Sequence, residues 1–136
     1  MSASECHRYG KRSLTIECVL VAARAASEKT LEDTVVLDLC DHGTITDYFV
    51  ITSGRNDRQV RAIVDEIILK VRSVGGGPPR STEGTKEARW VLLDYGDFVV
   101  HIFDTATREF YGLERLWSDT TRVDWDETRK VDPVPS

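Results

Sequence analysis

The chain lacks any long hydrophobic run. No segment approaches the roughly 20 consecutive apolar residues that a transmembrane helix needs. The first 12 residues include Glu5, His7 and Arg8 and contain no apolar stretch, so they do not have the pattern of a secretory signal. These absences predict a cytoplasmic protein that makes no membrane contact.

Cysteine is also scarce. The three cysteines, Cys6, Cys18 and Cys40, are far apart and form no C-x-x-C pair. An odd number at wide spacing argues against a disulfide framework and against a structural zinc site. Because Cys18 and Cys40 lie in apolar segments, we expect both to behave as small buried hydrophobic residues.

The composition has no excess of positive charge. Eighteen Lys and Arg residues stand against 23 Asp and Glu residues, which gives a net charge of -5. Phosphate backbones are bound by clustered basic surfaces, so this composition disfavours direct DNA binding. An acidic domain is better suited to a basic protein partner, because opposite charges speed association.

Motifs for catalysis are missing as well. Ser53-Gly54 follows a predicted strand, as in the entry motif of nucleotidyltransferases, but neither this strand nor the hairpin that follows carries a D-x-D pair to hold two metal ions. His101 has no Ser or Cys nucleophile motif to serve. We therefore predict no enzyme activity, no metal and no cofactor. The alternative is a nucleotidyltransferase-like, metal-dependent enzyme that uses Asp47 or Asp94.

The sequence does contain alternating helical and strand patterns, which predict the order α-β-β-α-β-β-α. The predicted elements are a helix from Leu14, strands at Thr34–Cys40 and Tyr48–Ser53, a helix capped by Asn56 or Asp57, a hairpin of Glu87–Tyr95 and Phe98–Asp104, and a helix from Asp104 or Thr105 to Ser118. A polar loop is predicted over residues 75–86.

One folded domain is predicted, over residues 13–118. Residues 1–12 are expected to form a flexible leader and residues 119–136 a flexible tail, because both segments are charged and unpatterned. The last helix is predicted to bury an apolar stripe of Phe110, Leu113, Leu116 and Trp117, and Tyr111 is also expected in the core.

The hairpin has a register that follows from its turn. With Gly96 and Asp97 as the central turn residues, Leu92 lies opposite His101 and Trp90 lies opposite Phe103. One face of the hairpin is almost wholly apolar and is predicted to pack against helices: Val91, Leu93, Tyr95, Phe98, Val100 and Ile102.

The opposite face of the hairpin mixes large apolar and polar side chains, as the centres of protein interfaces do. Its residues are Trp90, Leu92, Asp94, Val99, His101 and Phe103. We predict that this face is exposed and binds a partner. The alternative is that helices cover both faces of the sheet, with Asp94 and His101 as hydrogen-bonded buried groups.

Several segments have an order and spacing that carry a family resemblance. They are Thr46-Asp47-Tyr48-Phe49-Val50-Ile51, Ser53-Gly54, Gln59-Val60, Glu83-Gly84, Trp90-Val91-Leu92-Leu93-Asp94-Tyr95-Gly96-Asp97, Val100-His101-Ile102-Phe103, Arg108-Glu109-Phe110-Tyr111, Leu113-Glu114 and Leu116-Trp117. Together they resemble the ribosomal silencing factor family, also called RsfS or Iojap, over residues 14–118.

This resemblance implies an α/β (α+β) fold with a mixed sheet, similar to the nucleotidyltransferase fold but without its catalytic carboxylates. It implies binding to large-subunit ribosomal protein L-fourteen, a block of ribosomal subunit joining and repression of translation under nutrient limitation. A further hypothesis is that the protein, when not bound to the ribosome, forms a homodimer through the mixed face of the hairpin. Organelle members of the family exist, but the leader is too short for a transit peptide.

The candidate partner-binding residues combine the mixed hairpin face with the family motifs. We expect three apolar anchors, two polar groups for orientation and charge matching, and further contacts from the preceding loop and the last helix. In that order they are Trp90, Leu92 and Phe103; Asp94 and His101; Glu83 and Gly84; and Arg108.

Overall fold

A computed structural model describes residues 10–40 and 43–126, with side chains from Leu14 onward. The elements are α1 (Gly10–Lys29), β1 (Val35–Asp38), β2 (Tyr48–Gly54), α2 (Asp57–Ser73), β3 (Ser81–Glu83), β4 (Trp90–Asp94), β5 (Phe98–Asp104), α3 (Thr105–Tyr111), α4 (Leu113–Leu116) and β6 (Thr121–Val123).

The strands form one mixed sheet in the order β3-β4-β5-β2-β1-β6. Strands β2 and β5 are parallel, and the other pairs are antiparallel. The expected pairing of the first two strands is present, with Val35 opposite Ile51 and Asp38 opposite Tyr48. The predicted α/β class with a mixed sheet is thus confirmed. Two short strands and a divided last helix are additions to the predicted order.

Helices α1 and α2 cover one face of the sheet and form the main core with it. Small side chains on the inner side of α1 leave room for close packing. Four alanines of this helix are at most 2% exposed: Ala22, Ala23, Ala25 and Ala26.

Helix α2 begins at the predicted cap. The side chain of Asn56 accepts a hydrogen bond from the backbone N–H of Gln59 at 2.9 Å, which satisfies a free donor of the first turn. Apolar residues recur at helical spacing, and five of them are buried against the sheet. The buried residues are Val60, Ile63, Val64, Ile67 and Val71. The predicted helix is confirmed.

The β4–β5 hairpin has the predicted register. Trp90 lies opposite Phe103, and Leu92 lies opposite His101. The backbone N–H of Tyr95 donates to the carbonyl oxygen of Phe98 at 2.9 Å and closes the turn. Four residues of the apolar face are at most 1% exposed beneath α1 and α2: Val91, Leu93, Val100 and Ile102.

The predicted polar loop before the hairpin contains a strand, so that prediction is wrong over β3. Strand β3 forms the edge of the sheet and pairs with β4, and Glu83 lies opposite Leu92. All three of its residues are exposed, which explains why no apolar alternation marks it in the sequence. Gly84 ends it with φ +83°, where a Cβ would collide with the carbonyl oxygen of Trp90.

The prediction of a flexible tail from residue 119 is wrong for residues 119–126. Strand β6 pairs with β1, with Val123 opposite Val36. Trp125 is 6% exposed, and its indole N–H donates to the carbonyl oxygen of Thr34 at 2.8 Å. Burial of one indole therefore anchors a segment whose other residues are mostly polar. Residues 127–136 lie outside the described residues.

The start of the domain and the cysteines need two further corrections. Helix α1 begins at Gly10, so residues 10–12 of the predicted leader are helical, and residues 1–9 lie outside the described range. Cys18 is buried, as expected. Cys40 packs against the main core but is only half-buried, and it is disulfide-bonded, which the spacing of the cysteines did not indicate. None of the described helices is long and apolar enough to cross a membrane.

Because Trp125 fills part of the main core, replacing it should destabilise the whole domain. We expect Trp125→Ala to lower the free energy of unfolding by about 3–5 kcal/mol, as large-to-small substitutions in cores do. Urea denaturation measures this loss. The matched control is Leu31→Ala, since the Leu31 side chain is fully exposed. A loss below about 1 kcal/mol at Trp125 would contradict the anchoring role.

Candidate functional site

The second face of the sheet carries a smaller core, partly covered by α3 and α4. Its buried residues are Val35, Leu37, Leu39, Ile51 and Phe103. Half-buried side chains pack over them: Phe49, Trp90, Leu113 and Trp117. The mixed hairpin face thus lies partly under the protein's own side chains, and each predicted site residue has to be placed separately.

Phe103 belongs to this core and is not a surface anchor. Its side chain is fully buried, and its ring centroid lies 4.8 Å from that of Trp90. The prediction that Phe103 contacts a partner is wrong. Strand β5 lies in the middle of the sheet, with β4 on one side and β2 on the other, and Trp90 covers the Phe103 ring from the neighbouring strand.

His101 is also covered, so its predicted role in charge matching is wrong. It is 5% exposed, and its Nδ1 accepts a hydrogen bond from the Trp90 indole N–H at 3.1 Å. The ring of Phe49 lies edge-on at a centroid distance of 4.5 Å. Burial lowers the pKa of His101 to about 4, which keeps the imidazole neutral.

The neutral imidazole carries its proton on Nε2, because Nδ1 is the acceptor. Nε2 has no hydrogen-bond partner among the described residues. The alternative prediction, in which helices cover both faces of the sheet, is therefore right that His101 is buried. It is wrong that both ring nitrogens of His101 are hydrogen-bonded. The hydrogen bond that the imidazole does accept holds the Trp90 indole in one orientation.

Asp94 and Leu92 lie at the uncovered part of this face. Asp94 Oδ1 accepts a hydrogen bond from the backbone N–H of Gly96 at 2.8 Å, so this oxygen shapes the hairpin turn. Leu92 is half-buried. It follows Trp90 by two residues, so both side chains lie on the same side of β4. Glu83 is exposed across from Leu92 on β3. These three side chains stay accessible beside Trp90.

Arg108 is held by internal hydrogen bonds, so it is less available to a partner than its prediction as a contact residue requires. Its guanidinium donates to both carboxylate oxygens of Glu114, at 3.0 and 2.8 Å. It also donates to the carbonyl oxygen of Asp33 at 2.6 Å and to Ser53 Oγ at 2.8 Å. Its side chain is only 12% exposed. These internal bonds occupy the fork of donors that a partner would need.

A second carboxylate completes this polar cluster at the end of the parallel strands. Glu32 accepts hydrogen bonds from Ser53 at 2.6 Å and from Thr105 at 2.7 Å. Burial raises the pKa of Glu32, but these two bonds and the charge of Arg108 outweigh burial and lower it overall. The hydrogen bonds from Arg108 likewise lower the pKa of Glu114. Both side chains are therefore ionised near neutral pH.

The exposed aromatic residues of the last helix were missed by the sequence reasoning. Phe110 is 78% exposed, Tyr111 55% and Leu116 73%, although all three were predicted to lie in the core. Gly112 has φ +56° and ends α3, so the apolar residues before and after it do not form one stripe. A glycine inside a helical pattern was the signal that could have revealed this break.

These residues join Trp90 in one continuous surface. The Tyr111 ring lies 4.8 Å from the Trp90 ring and 5.0 Å from the Phe110 ring, measured between centroids. We call Trp90, Phe110 and Tyr111 the aromatic surface. It borders an open groove of about 620 Å³ between α3 and the loop that follows β3, and Gly84 and Glu87 line its other side.

No group of three or more His, Cys, Asp or Glu side chains is arranged to hold a metal ion within residues 14–40 and 43–126. At the Ser53-Gly54 end of β2, the nearby polar side chains bond one another. The arrangement that the geometry supports best is an apolar binding surface, because Tyr111 contacts both Trp90 and Phe110, and the Phe110 and Tyr111 side chains are more than half exposed.

Comparison with known proteins identifies the family. A sequence model described as "Ribosomal silencing factor during starvation" matches residues 13–135. The chain is 42% identical to the ribosomal silencing factor RsfS of Bacillus subtilis over 106 residues, which are 78% of this chain and 89% of that protein. The chain belongs to the ribosomal silencing factor family.

Two further relatives extend this result. A crystal structure of a Chromobacterium violaceum protein superposes with a TM-score of 0.69 at 29% identity, covering 75% of this chain and 84% of that one. The mouse protein named "Mitochondrial assembly of ribosomal large subunit protein 1" is 34% identical over 67% of this chain, and the match covers 41% of the mouse protein. Membership in the ribosomal silencing factor family supports a regulatory function.

The buried imidazole predicts a pH dependence of stability. The pKa of His101 is about 4 in the folded chain and about 6.5 in an unfolded one. Between these values the unfolded chain binds more protons, so stability falls as the pH falls. We expect a loss of about 2 kcal/mol between pH 7 and pH 5 from this residue.

Urea denaturation at both pH values, on the chain and on His101→Gln, measures this loss. The Gln side chain stays neutral and its oxygen can still accept the indole N–H, so the variant should lose less stability by about that amount. An equal loss in both proteins would show that His101 titrates normally. At pH 5 the carboxylates of Glu32 and Glu114, whose pKa values are lowered, remain ionised and do not contribute.

Proposed function

We propose that this chain silences ribosomes by binding the large subunit through ribosomal protein L-fourteen. The aromatic surface, flanked by Leu92 and Leu116, supplies the contact. The bound protein then occupies the position at which the small subunit docks, blocks subunit joining and represses translation under nutrient limitation. The site of action is the cytoplasm. The observation that carries the proposal is the exposure of Phe110 and Tyr111 beside Trp90.

Nothing in the fold explains why these rings are exposed. Exposed apolar clusters on a folded domain commonly mark interaction sites. Trp and Tyr are also the side chains most enriched where interfaces concentrate their binding energy. Trp90 is held by a hydrogen bond to His101 and rests on Phe103, so little conformational freedom remains to be lost on binding.

The charge around the aromatic surface favours a basic partner. Glu83, Glu87 and Glu109 are exposed on the flanking strand, loop and helix and outnumber the exposed Arg89 of the groove. The chain as a whole has a net charge of -5. Such a rim speeds encounter with a positively charged protein more than it adds to affinity. We therefore assign Glu83 to steering and Gly84 to the shape of the groove.

The choice of the large subunit and of L-fourteen rests on family membership. The mouse relative has assembly of the ribosomal large subunit in its name, and the resemblance of the sequence motifs implies L-fourteen as the direct partner. A steric block needs no catalytic group, so the proposal does not depend on enzyme activity. A homodimer in the free state would use the same aromatic surface and would compete with the ribosomal partner.

The roles of the predicted contact residues divide accordingly. Trp90 and Leu92 are proposed to touch the partner, and Asp94 lies at the margin of the contact. His101 and Phe103 support Trp90 from below and do not reach the partner. The newly assigned contacts are Phe110, Tyr111 and Leu116, which the sequence reasoning had placed in the core.

Substitutions in the aromatic surface should weaken binding. We expect Trp90→Ala and Tyr111→Ala each to cost about 2–4 kcal/mol of binding free energy, as central aromatic anchors do. Calorimetric titration with purified L-fourteen measures this, and circular dichroism checks the fold. The control is Leu69→Ala, which removes a leucine that is 57% exposed on α2, on the other side of the sheet.

The same variants test the biological step. In a subunit-joining assay the unaltered protein should prevent joining, and Tyr111→Ala should permit it. Folded Trp90→Ala and Tyr111→Ala proteins that bind L-fourteen normally would remove the aromatic surface from the mechanism. Light scattering with and without L-fourteen shows whether a homodimer dissociates when the partner binds.

A further inference from the structure

Helices α3 and α4 are attached to the domain in an unusual way. Neither contains a fully buried residue, whereas α2 buries five. Their apolar contact with the sheet comes from the half-buried Leu113 and Trp117. Because Phe110, Tyr111 and Leu116 face solvent, the apolar residues of these helices contribute little to holding them in place.

Polar contacts hold α3 and α4 against the rest of the domain, and Arg108 is at the centre of these contacts. The guanidinium spans three parts of the chain: Glu114 on α4, Asp33 before β1 and Ser53 at the end of β2. The first turn of α3 is held separately, because Thr105 donates to Glu32 and also to the carbonyl oxygen of Gly54 at 3.1 Å. The start and the middle of α3 are thereby fixed to the end of the central strand β2.

The Arg108–Glu114 pair also bridges the break between the helices. Gly112 lies between them, and its N–H donates to the carbonyl oxygen of Arg108 at 2.9 Å. The two side chains are 12% and 24% exposed, so water screens their attraction less than it screens a surface ion pair. The bidentate geometry restricts the angle between α3 and α4 more than a single contact would.

We propose that Arg108, together with Glu114 and Glu32, positions the aromatic surface for its partner. Arg108 acts as a positioning residue: it does not touch the partner, and it sets the α3–α4 corner so that Phe110 and Tyr111 lie against Trp90. This inference rests on the function proposed above. It gives Arg108 a role through internal geometry, in place of the direct contact that the sequence suggested.

The position of this cluster separates its role from general stability. It lies at the edge of the domain, while the main core lies under α1 and α2 on the opposite face of the sheet. Loss of the cluster should therefore loosen residues 105–117 locally and leave the sheet and α2 in place, because regions with few buried contacts open independently. Binding should then weaken because the corner has to be ordered again.

The test uses the full chain with Arg108→Gln, Arg108→Lys and Glu114→Gln. Hydrogen exchange is measured over residues 105–117 and over α2, and affinity is measured against purified L-fourteen. The control is Arg58→Gln, which removes one positive charge from an exposed position on α2. Trp90→Ala is measured in parallel, so that the proposed binding function is tested independently of the cluster.

We expect each of the three variants to exchange about tenfold faster or more in residues 105–117, with α2 unchanged, and to bind about tenfold more weakly. Arg108→Lys keeps the charge but not the planar fork, so it should behave like Arg108→Gln. If an Arg108 variant fails to fold, Glu114→Gln still tests the inference, because Arg108 donates two hydrogen bonds to Glu114.

The possible results separate the two proposals. Weaker binding by Arg108→Gln with unchanged exchange would indicate direct contact and overturn the positioning role. Faster exchange with unchanged affinity would also overturn it, and the aromatic surface would still stand if Trp90→Ala bound weakly. Absence of binding by the unaltered chain would overturn the proposed function, while the exchange data would still decide whether the cluster fixes the corner.

Discussion

The hydrogen bond from the Trp90 indole to His101 Nδ1 is the contact on which the second face of the sheet depends. It becomes possible only because the β4–β5 hairpin places Trp90 opposite Phe103 and Leu92 opposite His101. A slip of one residue would move these side chains to the face under α1 and α2. Burial keeps the imidazole neutral, and the bond holds the indole between the rings of Phe103 and Tyr111, each with its centroid 4.8 Å away.

Different interactions hold the helices on the two faces of the sheet. On the first face, α1 and α2 bury continuous apolar stripes, and the energy is that of apolar surface removed from water. On the second face, α3 and α4 contribute half-buried residues and are held by charged hydrogen bonds around Arg108. This difference leaves the large apolar side chains of α3 free to face outward, where a partner can cover them.

Local patterns were sufficient to predict much of this fold. The Gly96-Asp97 turn defined the hairpin register, and helical spacing with an Asn56 cap defined α2. The candidate site was predicted only in part, since Trp90 lies at its centre while Phe103 is core. Whether a strand residue is covered depends on where a later helix packs, and local alternation does not contain that information. Trp125 was missed for a similar reason, because only tertiary contact shows that a lone indole in a polar segment is buried.

An exposed aromatic surface needs a support that is specific without being apolar. If α3 were held by burying Phe110 and Tyr111, those rings would not be available for binding, so the helix has to be fixed by other side chains. Apolar packing tolerates small rotations of a helix, whereas the paired bonds between Arg108 and Glu114 have a defined direction and plane. Burying these charges is tolerable because the Arg108 guanidinium donates to four acceptor atoms and the carboxylates of Glu32 and Glu114 each accept two hydrogen bonds. Polar attachment and outward aromatic side chains are therefore two consequences of one constraint: the same short helices must be both fixed and left uncovered.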